Sequence, residues 1–188
     1  MESFFYGCDK VAGKEQAGMS IRLAGVEDAA ALDHFFQQLD RETRFMLFEA
    51  GERPSNIEGQ RQRLGAMQGS QNQRIWLLEL SQELQGFAVM IGGGLQRNRH
   101  CALVVMGLRQ SARGQGWGEC LLRTLIAAAP GCGISRLELG VMAHNEVAHG
   151  LYRKCGFVDE GLRQRAYRLG DDEVDEISMG LLLPSGHS

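Results

Sequence analysis

The sequence predicts one α/β domain in which helices pack against a mixed sheet. Three features point there. The apolar spacing switches repeatedly between helix and strand periodicity, the implied element order is βααβββαβαββ, and 44% of the 188 residues are hydrophobic, enough for one core. A run of antiparallel strands followed by strand–helix–strand requires a sheet of both strand senses.

The elements follow in order. Ser20-Ile-Arg-Leu23 reads as a short strand, and residues 1–19, which lack periodicity, read as a flexible N-terminal tail. From Glu27, the positions Ala29, Leu32, Phe35, Phe36 and Leu39 recur at helical spacing as far as Asp40. Residues 42–54 connect to a second, weakly amphipathic helix at 57–67. Residues 75–80, 86–91 and 101–108 are strands, with turns at 82–85 and 92–98. Trp117, Leu121, Leu122, Leu125, Ile126 and Ala129 restore helical spacing until Pro130-Gly131 stops it. A strand at 137–141 precedes a helix lined by Val147, Ala148, Leu151, Tyr152 and Cys155 and closed by Gly156. Strands at 162–169 and 174–183 flank the acidic turn 170–173, so residues 20–184 make a single domain.

Composition narrows the function. The chain has 25 glycines against 3 prolines, with no three-residue period, which excludes collagen and places the glycines inside a folded domain. No apolar run approaches the ~20 residues of a membrane-spanning helix, and the first residues lack a signal pattern. Cys8, Cys101, Cys120, Cys132 and Cys155 are odd in number and form no CxxC, which favours free thiols and a cytoplasmic setting. His144 and His149 are spaced i, i+5 and would not share a helix face as zinc ligands, so no metal is expected. The net charge is −3 and the arginines are scattered, which gives no footprint for nucleic acid.

The chemistry concentrates in Arg113-Gly-Gln-Gly-Trp-Gly118, between a strand and a helix. Its three alternating glycines let the backbone approach a ligand and turn successive N–H groups into one concavity. The helix start adds partial positive charge, so the loop suits a phosphate. Neither GxxxxGK[ST] nor GxGxxG is present, which weakens mononucleotide and dinucleotide readings.

Gln110–Leu122 (QSARGQGWGECLL), followed by Asn145, Ala148, Leu151, Tyr152, Gly156 and Phe157, resembles the GNAT N-acetyltransferase superfamily. The resemblance implies a mixed, mostly antiparallel six- to seven-stranded sheet flanked by about four helices, with acetyl-CoA as co-substrate. It implies that backbone at Met106, Gly107 and Leu108 pairs with the pantetheine arm in a splayed gap between the fourth and fifth strands. It further implies that Arg113, Gly114, Gln115, Gly116, Trp117, Gly118 and Glu119 hold the pyrophosphate and that Asn145 contacts the cofactor. Trp117 is also the helix's first apolar residue, which favours packing inward. Asn145 is also a natural helix N-cap, and the two roles can coexist.

Forming an amide from a thioester needs a neutral amine, a polarised carbonyl and a proton for the departing thiolate. The resemblance assigns that proton to Tyr152, whose spacing alone would equally suit the core. A tyrosine, with an ordinary pKa of about 10, stays protonated at pH 7. Some related amino-terminal acetyltransferases carry a basic glutamate five residues before the asparagine, but here that position is Gly140. Glu138, on the same strand face, could act through water, as could a solvent relay. His144 and His149 read better as helix-entry residues.

The resemblance implies a small-molecule amine or a peptide or protein amine as acceptor. By resemblance it docks between the first two helices and the last hairpin, where Asp40, Glu42, Glu49, Glu52, Asp171, Asp172, Glu173, Asp175 and Glu176 would form an acidic lining. A homodimer is compatible with the family. The alternative reading is a non-catalytic acyl-CoA-binding module or sensor on the same fold.

Overall fold

The computed structural model describes residues 18–184, so residues 1–17 of the expected tail lie outside the described residues. One seven-stranded sheet contains β1 (Met19–Leu23), β2 (Gln73–Leu80), β3 (Glu83–Gly92), β4 (Cys101–Leu108), β5 (Arg136–Met142), β6 (Val158–Leu169) and β7 (Asp172–Leu182). Their spatial order is β1-β2-β3-β4-β5-β7-β6. The helices are α1 (Ala29–Glu42), α2 (Ile57–Gly69), α3 (Trp117–Ala128) and α4 (Glu146–Lys154). The expected architecture and element order are those observed. No helix among the described residues is long and apolar enough to cross a membrane.

One expected turn moves. The β2–β3 hairpin closes at Ser81 and Gln82, both at positive φ (52° and 66°), and β3 already begins at Glu83. The two positive φ values match the twist of the flanking strands, but Ser-Gln carries none of the glycine or asparagine that announces such a turn.

Side chains alternate across the sheet and build a core on each face. Leu32, Phe35, Phe36 and Leu39 of α1 and Leu64 and Met67 of α2 pack with Ile75, Leu77, Phe87 and Val89. Phe87 meets Phe36 edge to face at 4.9 Å between centroids. On the other face Trp117, Leu121, Leu122 and Leu125 of α3 cover Ala88, Met90, Ala102, Val104, Leu137, Leu139 and Val141, with Tyr152 of α4 in the same cluster.

Gly107 of β4 faces α1. A Cβ there would lie 2.8 Å from Leu39 Cδ2 and 3.0 Å from Phe87 Cε1, both in fully packed side chains. Gly107→Val is therefore expected to destabilise the fold by about 1–3 kcal/mol through overpacking. That corresponds to a fall in Tm of roughly 2–10 °C by calorimetry; an unchanged Tm would contradict the packing described.

The sheet contains one parallel junction, β4–β5, and it is short. Only Cys101, Ala102 and Leu103 pair with Arg136, Leu137 and Glu138. Beyond that point β4 stays with β3 as far as Leu108, while β5 stays with β7 as far as Met142. The two strands diverge into the splayed gap that the family resemblance implied.

Candidate active site

Three structural elements converge on this gap. The first is the loop from β4 to α3. A 3-10 turn at Gln110–Ala112 leads into Gly114 and Gly116, whose φ values of +71° and +87° lie in the left-handed region. A side chain there costs about 1–2 kcal/mol, so glycine is the residue this path requires. α3 begins directly afterwards, and its earliest backbone bonds are Glu119 N–H and Cys120 N–H to Gly116 O, at 3.1 and 3.2 Å. The amides of residues 114–118 thus precede the helical ladder, at the positive end of the α3 dipole.

Side chains shape the loop without filling it. Arg113 donates Nε and Nη2 to Leu108 O at 3.1 and 3.0 Å, tying the loop to the end of β4. Gln115 Nε2 donates to Ser111 O at 2.7 Å. Trp117 packs inward at 2% exposure, so its backbone rather than its ring belongs to the loop. Glu119 accepts from Arg123 Nε at 3.0 Å and Lys154 Nζ at 2.5 Å. Those two cations hold its carboxyl below the usual carboxylate range. A Cβ on Gly118 would touch Leu151 Cδ2 at 3.2 Å, so this glycine also sets the close approach of α3 to α4.

The second element is α4. Asn145 caps it, with Oδ1 accepting from Ala148 N–H at 3.3 Å. Tyr152 packs its ring edge to face on Phe157 at 6.0 Å and is 8% exposed. Burial pushes its phenol up to about 12. Buried tyrosines usually satisfy their hydroxyl, yet Tyr152 has no hydrogen-bond partner among the described residues. A protonated donor with an unspent O–H therefore stands on the α3 face of the sheet beside β5.

The third element is a cleft of 670 Å³ on the α1 face, lined by residues 40–44 and 46–50, Met142 and Tyr167–Gly170. Arg53 holds its floor. The guanidinium donates to Asp40 at 2.5 and 3.0 Å and lies over the rings of Phe48 (4.2 Å) and Phe36 (4.9 Å). Arg109 Nε and the Gln110 N–H donate to Glu42 at 2.6 and 2.7 Å, linking the end of α1 to the loop after β4. Burial pushes Glu42 up, but these donors outweigh it and keep its carboxyl below the usual range.

The acidic lining expected for the acceptor is largely neutralised. Asp40 and Glu42 are spent on arginines, Glu173 pairs with Arg165 and Arg168, and Asp175 accepts the Arg165 N–H. The cleft also carries Arg41, Arg44 and Arg168 against Glu49, so loose negative charge does not dominate it. Glu138 is exposed and lies 3.5 Å from Arg136. His149 is engaged with Asp159 at 2.8 Å, and the His144 ring lies 5.1 Å from Phe45. Tyr167 carries no motif and escapes sequence reasoning.

Comparison with known proteins fits this geometry. Residues 32–157 match the family described as the acetyltransferase (GNAT) family. The chain belongs to that family, whose co-substrate is acetyl-CoA. A curated relative, an uncharacterised N-acetyltransferase YdgE of Bacillus subtilis, is 33% identical over 97 residues, covering 51% of this chain and 62% of that protein. The chain thus spans less than two thirds of that relative's length. A GNAT-family acetyltransferase from Streptococcus pneumoniae superposes with a TM-score of 0.85 at 29% identity, over 88% of this chain and 99% of that one. A phosphinothricin acetyltransferase from Sinorhizobium meliloti, solved in complex with acetyl-CoA, shares the fold with a TM-score of 0.78 at 18% identity, over 90% of both chains.

Proposed function

We propose that this chain is an acetyl-CoA-dependent N-acetyltransferase acting on a primary amine, with Tyr152 as the acid. One observation carries the reading. The left-handed Gly114–Gly116 loop at the start of α3 follows the stretch of β4 from Val104 to Leu108, which pairs with β3 but not with β5. That juxtaposition suits a ligand with an anionic end and an extended amide-bearing arm. Several amide hydrogen bonds to a pyrophosphate, at about 1.5–3 kcal/mol each, can dominate binding. Backbone of Met106, Gly107 and Leu108 offers the arm the β4 edge that β5 leaves, where Leu108 O already accepts from Arg113. Asn145, occupied in capping α4, fixes where Tyr152 sits.

The reaction then follows. The amine in the α1-side cleft attacks the thioester carbonyl carbon; the C–N bond forms, the C–S bond breaks, and the sulfur departs against the Tyr152 O–H. Tyr152 holds its proton up to about pH 12, so it meets the sulfur as a donor at any physiological pH.

The test is acetyl-CoA-dependent thiol release over spermidine, kanamycin, the common amino acids and short peptides with free N-termini. At least one amine is expected to raise thiol release well above the rate without acceptor. Acetyl-CoA binding with no amine-dependent release across the panel would instead favour the sensor reading.

A further inference from the structure

The position that carries a basic glutamate in some relatives is Gly140, and the space above it is occupied. A Cβ built on Gly140 would lie 2.2 Å from Oε1 and 2.5 Å from Cδ of Glu176. Glu176 comes from β7, opposite Met142 in the β5–β7 register, and reaches across to cover Gly140. It is buried, at 6% exposure. A side chain at 140 would displace this carboxylate, so glycine there leaves Glu176 its place.

The face is the one the reaction needs. Leu137, Leu139 and Val141 of β5 point into the α3-side core with Tyr152, so Glu138 and Gly140 point to the α1 face. Glu176 therefore lies on the cleft side of the gap and Tyr152 on the other. Glu176 Oε1 accepts from the Tyr167 hydroxyl at 2.5 Å, and Oε2 accepts from Arg163 Nη1 at 2.5 Å. Tyr167 itself lines the cleft. A residue of the cleft wall is thus hydrogen-bonded to the buried carboxylate.

We propose that Tyr167 and Glu176 take the acceptor's proton. This rests on the acetyl-transfer reading above and supplies the proton acceptor that Gly140 lacks. A proton of the acceptor's ammonium form passes to the Tyr167 oxygen while the Tyr167 proton passes to Glu176, and the neutral amine so formed attacks the carbonyl carbon. Glu176 ends protonated and Tyr167 is restored; the C–S electron pair leaves with the sulfur, which takes the Tyr152 proton, and the proton the nitrogen sheds as the amide forms returns to Tyr152. Tyr167 is the group that touches the amine, and Glu176 acts through it. Other charged groups on this face are Arg163 from β6, Glu138 from β5, held by Arg136, and Arg41, Arg44, Glu49 and Arg168 around the cleft.

The experiment measures kcat from pH 6.5 to 10 for wild type, Glu176→Gln and Tyr167→Phe, with whichever of spermidine, kanamycin, an amino acid or an N-terminal peptide the wild type acetylates. Glu176→Gln keeps the shape of the side chain, and acetyl-CoA-dependent thermal stabilisation checks that each variant is folded and loaded. Both variants are expected to lose roughly 10²-fold or more in kcat near pH 7, the scale of general acid–base catalysis. Acetyl-CoA affinity is expected to stay within about twofold. The deficit should shrink as the pH approaches the acceptor's own pKa, where the amine arrives already neutral. The double variant Gly140→Glu with Glu176→Ala, which returns the carboxylate from β5, should recover part of the loss seen for Glu176→Ala alone. A deficit equal at all pH values, or no deficit, would overturn the assignment to Tyr167 and Glu176 while leaving acetyl transfer standing. Wild type inactive on every probe would overturn the acetyl-transfer reading itself.

Discussion

Gly116→Asp is expected to abolish acetyl-CoA binding at micromolar concentrations while leaving the fold intact. Gly116 sits at φ +87° immediately before α3. Aspartate tolerates the left-handed region better than most residues, at a cost of about 1–2 kcal/mol, so the loop survives. Its carboxylate, however, enters the space proposed for a pyrophosphate. Losing one or two amide–phosphate hydrogen bonds at about 1.5–3 kcal/mol each raises Kd by roughly 10²-fold or more. Gly116→Ala carries the backbone strain without the charge and should fall between wild type and Gly116→Asp in a calorimetric titration. Equal affinities for all three would remove the loop from the binding site.

Tyr152→Phe should act on the opposite quantity. The ring lies in the core with Phe157, and its hydroxyl has no hydrogen-bond partner to lose among the described residues, so phenylalanine preserves the packing and folding stability stays close to wild type. What disappears is the donor that the proposed reaction sets against the leaving sulfur. A positioned general acid contributes about 10²–10⁴-fold, so kcat should fall by roughly 10²-fold or more while acetyl-CoA affinity changes less than about twofold. Such a split identifies a group that acts on the departing thiolate. A kcat equal to wild type would return Tyr152 to a purely structural role.

The two residues differ in how openly the sequence declares them. Gly114 and Gly116 are legible because backbone conformation dictates residue type: φ of +71° and +87° leaves glycine as the low-strain choice, and their spacing before an amphipathic helix marks the loop. The helices are legible for a related reason. Leu32, Phe35, Phe36 and Leu39 repeat at the helical period because a single stripe of α1 is buried. The splay and Tyr152 came through family resemblance rather than through periodicity.

What stayed hidden depends on pairing between distant strands. Glu176 looks like one more acidic residue of a hairpin, and only the β5–β7 register carries its carboxylate over Gly140. Glycine at 140 therefore reads in isolation as a missing base. Gly107 likewise suggests a backbone opened for a ligand arm, whereas its immediate neighbours are Leu39 and Phe87. The acidic lining of the cleft dissolved for the same reason. Asp40 and Glu42 are partnered by Arg53 and Arg109, which lie 13 and 67 residues away in sequence. Charge counts cannot show such pairs.

These residues describe a division of labour across the sheet. In the proposed reaction the loop before α3 would offer amides, the β4 edge left open by β5 a strand partner, and α4 an acid on one face. The cleft beneath α1 would receive the amine on the other. The most direct test of this arrangement is a thermal-shift titration of the wild-type chain with acetyl-CoA, CoA, ATP and NAD in parallel. The expected result is a saturable rise in Tm with acetyl-CoA and CoA, and none with ATP or NAD at matched concentration. Stabilisation by ATP or NAD without stabilisation by CoA would contradict the account.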